Sequence, residues 1–432
     1  MRRILQDENV LKNCKIAKML IGQTQPHVSF HTPGHKVGGW DITELSYSDN
    51  LSCPTGCIAA AEQDIAEILG AAKSFILTDG STCGVLSMLH AARSVGVRKI
   101  AVCKDSHKSV FNGCLLLGIE PLVYPQKKVK EIPKGHTMSA MKALFGELLA
   151  EADGLFLTSP DYYGNVADLS EARAYCDETG KLLLIDGAHG GHLHFDKDLY
   201  AGAYADLWVD GVHKSLPALT QGAVVSARTE ELGEKLRLAL DIFRTTSPSY
   251  PIMASVEYAV KYPRSAELEK RVKAYTNGNG RVYCGGDWTK LCAIFGERAF
   301  EAEEDAKNAG LYAEFCDGNA VTFYLSPMTN LEDFERLIAV LENLFKKYPL
   351  TCKKTLDYDP SPVVLPKNRA TEWLDIGATS GRICARTCGL FPPCTPLIKA
   401  GQVITEEKIT LLQRASNVFG LRNGQIEIFK DE

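Results

Sequence analysis

The sequence predicts an α/β protein with a large domain built on a mostly parallel seven-stranded sheet, plus smaller C-terminal α/β domains. Short apolar segments alternate with helical periodicity between residues 74 and 226, and the alternation resumes after the polar turn cluster Asn277–Gly280. The composition, 45% hydrophobic and 23% charged over 432 residues, is typical of a soluble globular enzyme. Ligands of such sheets bind beyond the carboxyl ends of the strands.

Seven apolar segments predict the strands of the large sheet. They are Ser74–Thr78, Lys99–Cys103, Glu120–Tyr124, Gly154–Thr158, Lys181–Asp186, Asp206–Asp210 and Gly222–Ser226. Helical periodicity fills most of the gaps, as over Cys83–Ser94 and Leu169–Thr179. Because helical crossovers between parallel strands are right-handed, this order predicts a doubly wound domain.

A second pattern follows the helical stretch Tyr250–Tyr262. It predicts two strands, Lys290–Phe295 and Ala320–Leu325, and two helices, Phe300–Ala309 and Asn330–Tyr348. The segment Pro360–Pro366 is typical of a linker. We therefore expect an N-terminal segment, a large domain, a small α/β domain and a C-terminal module over residues 1–45, 46–270, 271–350 and 351–432, respectively.

The net charge and the cysteine spacing indicate which partners and metal sites to expect. A formal net charge of -5 gives no reason to expect nucleic acid as a partner. The pairs Cys53/Cys57 and Cys384/Cys388 could form half of a metal site, but free thiols are favoured because no second pair lies nearby. No apolar run reaches the length of a signal peptide or a membrane span, so we expect a cytoplasmic protein.

Lys214 is the first candidate for catalysis. It follows a short apolar strand and a histidine within Asp206–Gln221, DLWVDGVHKSLPALTQ. A lysine in a cleft at a strand end can have a depressed pKa, which frees its amine to form an imine with a carbonyl. Asp186 ends the preceding strand, so we expect both side chains at the same edge of a parallel sheet.

An aspartate and a lysine at neighbouring strand ends suit pyridoxal 5'-phosphate (PLP), because the lysine can carry its aldehyde and the carboxylate can keep its ring nitrogen protonated. The turn Thr78–Gly84 offers small residues, the hydroxyls of Ser81 and Thr82 and a helix N-terminus to a phosphate, although it also resembles an ordinary helix start. His107 follows the next strand and can stack on the ring, although a lone histidine is more often simply hydrogen-bonded.

A metal site is the alternative for the histidines that follow Asp186. His189, His192 and His194 are residue types that bind zinc. The loop that carries them is rich in glycine and irregular, which disfavours a preformed metal site. We therefore expect no metal.

The chain resembles the short branch of the Orn/Lys/Arg decarboxylases, PLP enzymes of the aspartate-aminotransferase fold (fold type I). The resemblance covers most of the chain and is strongest over residues 30–255. The motifs that carry it are Phe30–Lys36, Asp41–Glu44, Asp49–Pro54, Gly80–Thr82, His107–Ser109, Asp186–Gly190, His213–Lys214, Leu216–Gly222, Thr246–Tyr250, Gly381–Arg382 and Pro392–Pro393.

The resemblance implies catalytic and ring-binding roles for four residues. Lys214 would hold PLP, and Asp186 would pair with the pyridine nitrogen. His107 would stack on the ring, and His189 would lie under the cofactor near its ring oxygen.

The resemblance also implies a phosphate site and a shared active site. Gly80, Ser81 and Thr82 would bind the phosphate with help from His213. Ser247 lies in a segment similar to one that reaches the neighbouring subunit's site, which implies a homodimer.

The chain departs from the family pattern at several positions. The family usually has asparagine, an acidic residue and serine where Asp79, Gly187 and Gly211 stand. Gly211 removes an expected phosphate hydroxyl and Asp79 adds negative charge near the phosphate, so both bear on cofactor affinity. Cys394 and Gln402 replace a usual glycine and a usual glutamate.

The sequence therefore predicts PLP-dependent decarboxylation of arginine, lysine or ornithine to a polyamine-type amine. An aminotransferase or other lyase of the same fold is one alternative, and a PLP-binding regulatory paralogue with little turnover is another. The cationic end of a basic substrate requires an acid, for which Asp49, Asp161 and Glu314 are candidates.

Overall fold

The computed structural model describes residues 5–22, 28–37, 39–125, 127–129, 132–134, 137–350, 370–390, 395–415 and 417–430. The predicted linker Pro360–Pro366, the Pro392–Pro393 motif and Cys394 lie outside the described residues.

The described strands, in chain order, are β1 Lys73–Leu77, β2 Lys99–Cys103, β3 Glu120–Tyr124, β4 Lys127–Val129, β5 Ile132–Lys134, β6 Gly154–Thr158, β7 Leu182–Gly187, β8 Leu207–Asp210, β9 Ala223–Ala227, β10 Val282–Tyr283, β11 Lys290–Ile294, β12 Phe315–Cys316, β13 Ala320–Tyr324, β14 Thr371–Asp375, β15 Cys388–Leu390, β16 Thr395–Ile398, β17 Val418–Phe419 and β18 Gln425–Phe429.

The described α-helices are α1 Glu8–Leu11, α2 Lys15–Ile21, α3 Cys57–Leu69, α4 Gly80–Ser94, α5 Lys108–Leu117, α6 Met138–Glu151, α7 Leu169–Thr179, α8 Val212–Ser215, α9 Glu230–Phe243, α10 Tyr250–Val260, α11 Ala266–Thr276, α12 Ala299–Asn308, α13 Leu331–Lys347 and α14 Glu406–Arg414. Short 3-10 helices span Gly191–Phe195, Ala201–Ala203, Gly296–Arg298 and Ile376–Ala378.

The large sheet has seven strands in the order β1-β9-β8-β7-β6-β2-β3. Strand β9 runs antiparallel to both of its neighbours, and the pairs from β8 to β3 are parallel. The predicted mostly parallel seven-stranded sheet is therefore confirmed, and each predicted strand lies within one residue of its observed bounds. The carboxyl ends of the parallel strands meet at one edge.

Apolar residues cover both faces of this sheet, which explains the continuous apolar runs in the sequence. In β7, Leu183 and Ile185 belong to one hydrophobic core, whereas Leu184 belongs to the core on the opposite face. A strand that is buried on both faces must be apolar at successive positions. Helices therefore cover both sides, and ligand access is left to the edge where the strands end.

A smaller antiparallel sheet has the order β10-β11-β13-β12 and shares an apolar core with α11, α12 and α13. The four predicted elements of this region lie within one residue of β11, α12, β13 and α13. Towards the C-terminus, β14 pairs with β18, and β15 pairs with β16 and β17. The limits of the four predicted domains stay predictions.

Three further properties hold for the described part of the chain. No helix there is both long enough and apolar enough to span a membrane. Twelve cysteines are described, and all of them are free thiols. Among the same residues, no group of three or more histidine, cysteine, aspartate or glutamate side chains is placed to hold a metal ion.

Candidate active site

Lys214 and His189 face each other at the carboxyl edge of the large sheet. Lys214 lies in α8, which begins two residues after β8, and His189 lies in the loop after the adjacent strand β7. The two side chains are 3.3 Å apart, from Lys214 Nζ to His189 Nε2. The sequence therefore placed both residues at the correct strand ends, although it did not predict their contact.

Asp186 is a buried carboxylate in the same cluster. It lies in β7 opposite Val209 of β8, and its Oδ1 accepts a hydrogen bond from the backbone N–H of Ala188 at 3.1 Å. Burial raises the pKa of Asp186, while the positive charge of Lys214 and the Ala188 hydrogen bond oppose that rise. A cationic ring nitrogen is a partner that such a buried acid can accommodate.

His189 is a neutral, buried imidazole with an unsatisfied nitrogen. Its Nδ1 has no hydrogen-bond partner among the described residues, and its ring makes edge contacts with Tyr162 and Tyr324 at centroid distances of 5.0 and 5.5 Å. Burial lowers the pKa of His189, and the charges of Lys214 and Lys290 lower it further. An orphaned polar atom at this depth is a feature that a bound polar group would complete.

His107 has an ordinary structural role and also lies near the charge of Lys214. Its Nδ1 accepts the backbone N–H of Ser109 at 3.2 Å and so caps the start of α5. Burial lowers the pKa of His107 to about 3, with smaller contributions from Lys214 and Lys108. The imidazole is therefore neutral, as a ring that stacks on an electron-poor aromatic group should be.

The predicted phosphate-binding residues form the start of α4. Gly80 has a positive φ of 76°, and its N–H donates to the carbonyl of Gln221 at 2.9 Å. Ser81 and Thr82 follow in the first turn, where helical N–H groups lack intrahelical acceptors and attract anions. Asp79 precedes the helix without capping it, and its carboxylate lies 3.4 Å from the N–H of Thr245.

His213 and Ser247, the two remaining predicted cofactor-binding residues, differ in burial and in their hydrogen-bond partners. His213 is half-buried, and its Nδ1 donates to the carbonyl of Gly222 at 2.9 Å, beside the amino end of β9. Ser247 is exposed, and its N–H donates to Thr245 Oγ1 at 3.1 Å. The predicted role of Ser247 at the neighbouring subunit's site stays a prediction.

The structure gives a steric reason for two of the unusual glycines. A Cβ atom at Gly211 would lie 2.5 Å from the carbonyl oxygen of Ala188, which leaves no room for a serine there. A Cβ atom at Gly187 would lie 3.0 Å from the carbonyl oxygen of Val209 and 3.2 Å from Oδ1 of Asp210. The packing therefore excludes a side chain at Gly211 on this backbone, whereas at Gly187 the neighbouring atoms would have to move by a few tenths of an ångström.

A buried polar network that the sequence does not predict lies next to His189. Lys290 Nζ donates to the backbone carbonyl of His189 at 2.8 Å and lies 2.8 Å from Asp287 Oδ2. His192 Nε2 lies 2.8 Å from Asp287 Oδ1, and His194 Nδ1 donates instead to the Gly191 carbonyl. The three histidines therefore have three different partners. The only signal in the sequence is a lysine at the start of an apolar strand.

The sheet and these residues define a PLP-dependent enzyme of fold type I. A lysine amine, a buried carboxylate on the adjacent strand and the orphaned His189 Nδ1 fit this cofactor. The model of the Orn/Lys/Arg decarboxylase major domain matches residues 34–277, more than half of the chain. The chain therefore belongs to the Orn/Lys/Arg decarboxylase family.

The chain is also similar to individual proteins. The chain is 29% identical to the uncharacterized protein YaaO of Bacillus subtilis, over 89% of this chain and 90% of that one. It is 25% identical to the arginine decarboxylase of the same organism, with the same coverage of 89% and 90%. In structure it is similar to the constitutive lysine decarboxylase of Escherichia coli, with a TM-score of 0.69 and 17% identity over 97% of this chain and 82% of that one.

Proposed function

We propose that the protein uses PLP to decarboxylate a basic amino acid, namely arginine, lysine or ornithine, to the corresponding amine. The observation that carries the proposal is the 3.3 Å approach of Lys214 Nζ to His189 Nε2 beside the buried Asp186. PLP, when bound, withdraws electrons from the α-carbon of an amino acid, which permits the loss of carbon dioxide. Membership of the family and the arginine decarboxylase relatives support a basic substrate.

We assign the residues around the ring as follows. Lys214 holds the cofactor, and Asp186 keeps the pyridine nitrogen protonated. His107 would stack on the ring, and His189 would contribute its Nδ1, which has no partner among the described residues, to a polar group of the cofactor. A proton must replace the lost carbon dioxide at the α-carbon, and Lys214 or His189, which are in contact, would supply it.

The phosphate is proposed to bind at the start of α4, at Gly80, Ser81 and Thr82, with support from His213. Here the chain provides fewer favourable groups than its family usually does. Gly211 cannot be a serine on this backbone, and the carboxylate of Asp79 lies directly before the helix. The positive end of the helix dipole favours anions, and a carboxylate at the helix N-terminus takes up part of this favourable potential that a phosphate would otherwise use. We therefore expect weaker cofactor binding than in relatives that have serine and asparagine.

These departures also support a second candidate function. A PLP-binding paralogue with little turnover would have the same fold, and an uncharacterized relative is among the similar proteins. Such a protein would show the spectrum of a lysine-bound cofactor but would release no carbon dioxide.

One experiment separates the two functions. Purified protein is saturated with PLP and incubated separately with arginine, lysine and ornithine, and the carbon dioxide and the amine are measured. We expect stoichiometric release of carbon dioxide and one amine, and Lys214→Ala should abolish both this release and the visible absorption of the bound cofactor. A keto acid without carbon dioxide would instead support an aminotransferase, and no product at all would support the paralogue.

We also propose a cytoplasmic homodimer in which Ser247 contributes to the partner's site, with a product amine of the polyamine type. The family resemblance and the exposed position of Ser247 support the shared site. Sedimentation equilibrium should give twice the mass of one chain, and a fully active monomer would refute this arrangement.

A further inference from the structure

A basic substrate requires an acid for its cationic end, and the structure separates the three candidate acids. Asp49 is already used as a structural acceptor. Its two carboxylate oxygens receive hydrogen bonds from the backbone N–H groups of Asn50, Thr55, Gly56, Ile58 and Ala59. A carboxylate with this many donors stabilises the start of α3 and has little capacity for a ligand.

Asp161 is used in a similar way. Its Oδ1 accepts the backbone N–H groups of Tyr163 and Asn165 at 2.9 and 3.0 Å, and its Oδ2 accepts the side-chain amide of Asn165 at 2.7 Å. The residue is buried and stabilises the loop after β6. A substrate cation would have to break this arrangement.

Glu314 differs from both because its carboxylate is available. Its backbone N–H donates to the carbonyl of Thr322 at 2.9 Å, which fixes the residue at the entry to β12. The side chain is half-buried, and within the described part of the chain it makes no hydrogen bond or ion pair. A carboxylate in this position is free to accept hydrogen bonds from a cationic ligand.

The contacts of neighbouring residues connect the position of Glu314 to the candidate active site. The next residue, Phe315, packs edge-on against Tyr163 at 5.3 Å. On the adjacent strand β13, the ring of Tyr324 contacts His189 at 5.5 Å, and His189 contacts Lys214. Burial raises the pKa of Glu314, and the charges of Lys214 and Lys290 oppose this rise.

We propose that Glu314 binds the cationic end of the substrate side chain and so sets the preference for basic amino acids. The inference rests on the proposed function, because it assumes an amino acid bound at Lys214. Lys290 does not neutralise Glu314 by direct pairing, since its ammonium is held by Asp287 and by the His189 carbonyl. A charge-assisted hydrogen bond in a half-buried site contributes about a 10- to 100-fold preference for a cation over a neutral group.

Binding measurements test this role independently of turnover. PLP-loaded protein is mixed rapidly with arginine, lysine and their neutral counterparts citrulline and norleucine, and affinity is read from how the first change in the visible absorption of the cofactor depends on amino-acid concentration, before carbon dioxide is released. We expect Glu314→Gln to weaken the binding of arginine and lysine about 10- to 100-fold and to leave citrulline, norleucine and the cofactor spectrum unchanged. Glu314→Asp should restore part of the loss, because it retains the charge.

Glu304→Gln is the matched control, since Glu304 is an exposed acid of the neighbouring helix α12. It should bind all four amino acids as the wild type does. The inference is overturned if Glu314→Gln binds arginine and lysine normally, or if the wild type binds citrulline as tightly as arginine. Absence of carbon dioxide from the wild type would refute the proposed function and would leave the binding comparison valid.

Discussion

Lys290 donates a hydrogen bond from its Nζ to the backbone carbonyl of His189 at 2.8 Å, and so connects the smaller sheet to the candidate active site. Lys290 begins β11, whereas His189 lies in the loop after β7 of the large sheet. The same ammonium lies 2.8 Å from the buried carboxylate of Asp287, which also contacts His192. The contacts among Lys290, Asp287 and His192 therefore hold the loop that carries His189 in place.

Removal of Lys290 should destabilise the protein strongly. Both Lys290 and Asp287 are at most 1% exposed, so Lys290→Met leaves a buried carboxylate with only His192 and Thr289 as partners. Breaking a buried pair on one side costs about 3–5 kcal/mol. Urea unfolding should show this loss, whereas Lys346→Met, at an exposed lysine of α13, should change stability by less than about 0.5 kcal/mol.

A double variant checks the cause of that loss. Burial raises the pKa of Asp287, but the charges of His192 and Lys290 outweigh it and hold the pKa well below its ordinary value. Lys290→Met combined with Asp287→Asn removes both charges and should recover part of the stability. If the double variant were as unstable as the sum of the two single variants, lost packing rather than an unpaired charge would be responsible.

Gly211→Ser, which introduces the residue usual in the family, should weaken cofactor binding here. The new Cβ would lie 2.5 Å from the carbonyl oxygen of Ala188, next to His189, so the loop must move. Overpacking of this kind costs about 1–3 kcal/mol. We expect a lower melting temperature and a higher dissociation constant for PLP, measured by absorption titration.

Gly211→Ala separates the steric effect from the hydroxyl. It adds the same Cβ without a phosphate donor, so we expect it to lose at least as much stability as the serine variant. Tighter PLP binding by Gly211→Ser than by the wild type would show that the loop adjusts and that a phosphate hydroxyl is what the site lacks.

The order and the ends of the strands could be predicted from the sequence because buried parallel strands are continuous apolar runs. Lys214 and Asp186 could be found for the same reason, since Asp186 lies near the end of one such run and Lys214 follows the next one in the short helix α8. The helical periodicity predicts a start of α4 at Cys83, whereas the helix begins three residues earlier, at Gly80. Glycine, serine and threonine indicate a turn, and nothing in the sequence shows that the turn is already helical.

Side-chain contacts between residues far apart in the sequence could not be predicted from it. His192 and Asp287 are 95 positions apart, and their contact depends on how the smaller sheet packs on the large one. The crowding at Gly211 depends likewise on the position of the Ala188 carbonyl. The choice among Asp49, Asp161 and Glu314 required knowledge of which carboxylates already have donors.

Asp210 should make the stability of the protein depend on pH near neutrality. It is buried at the end of β8, accepts a hydrogen bond from Tyr200 at 2.6 Å, and burial raises its pKa to about 7. A carboxyl whose pKa is raised on folding stabilises the native state below its ordinary pKa, and this contribution is lost as the pH rises towards 7. Asp210→Asn keeps an acceptor for Tyr200 and cannot ionise.

The stability of Asp210→Asn relative to the wild type should therefore increase by roughly 1 kcal/mol per pH unit between pH 5 and pH 7, and then level off. Urea unfolding at pH 5, 6, 7 and 8 measures this difference. Parallel pH profiles for the two proteins would mean that Asp210 does not titrate in this range.

Lys399 should destabilise the folded protein when it is protonated. It is 3% exposed at the end of β16, its Nζ has no hydrogen-bond partner among the described residues, and it lies 3.8 Å from the ring centroid of Phe111. Burial lowers its pKa to about 8, although the charge of Asp105 opposes this. Between about pH 8 and pH 10.5 the unfolded chain binds more protons than the native state, so wild-type stability should rise with pH in that window.

Lys399→Met fills the same space without a charge. We expect it to be about 1–3 kcal/mol more stable than the wild type at pH 7, with an advantage that shrinks between pH 8 and pH 10. Lys430→Met, at an exposed lysine near the C-terminus, should be neutral at every pH. A destabilised Lys399→Met at pH 7 would show that the attraction of the ammonium to Asp105 and to the face of Phe111 exceeds its desolvation, and that this lysine holds the loop before His107 in place.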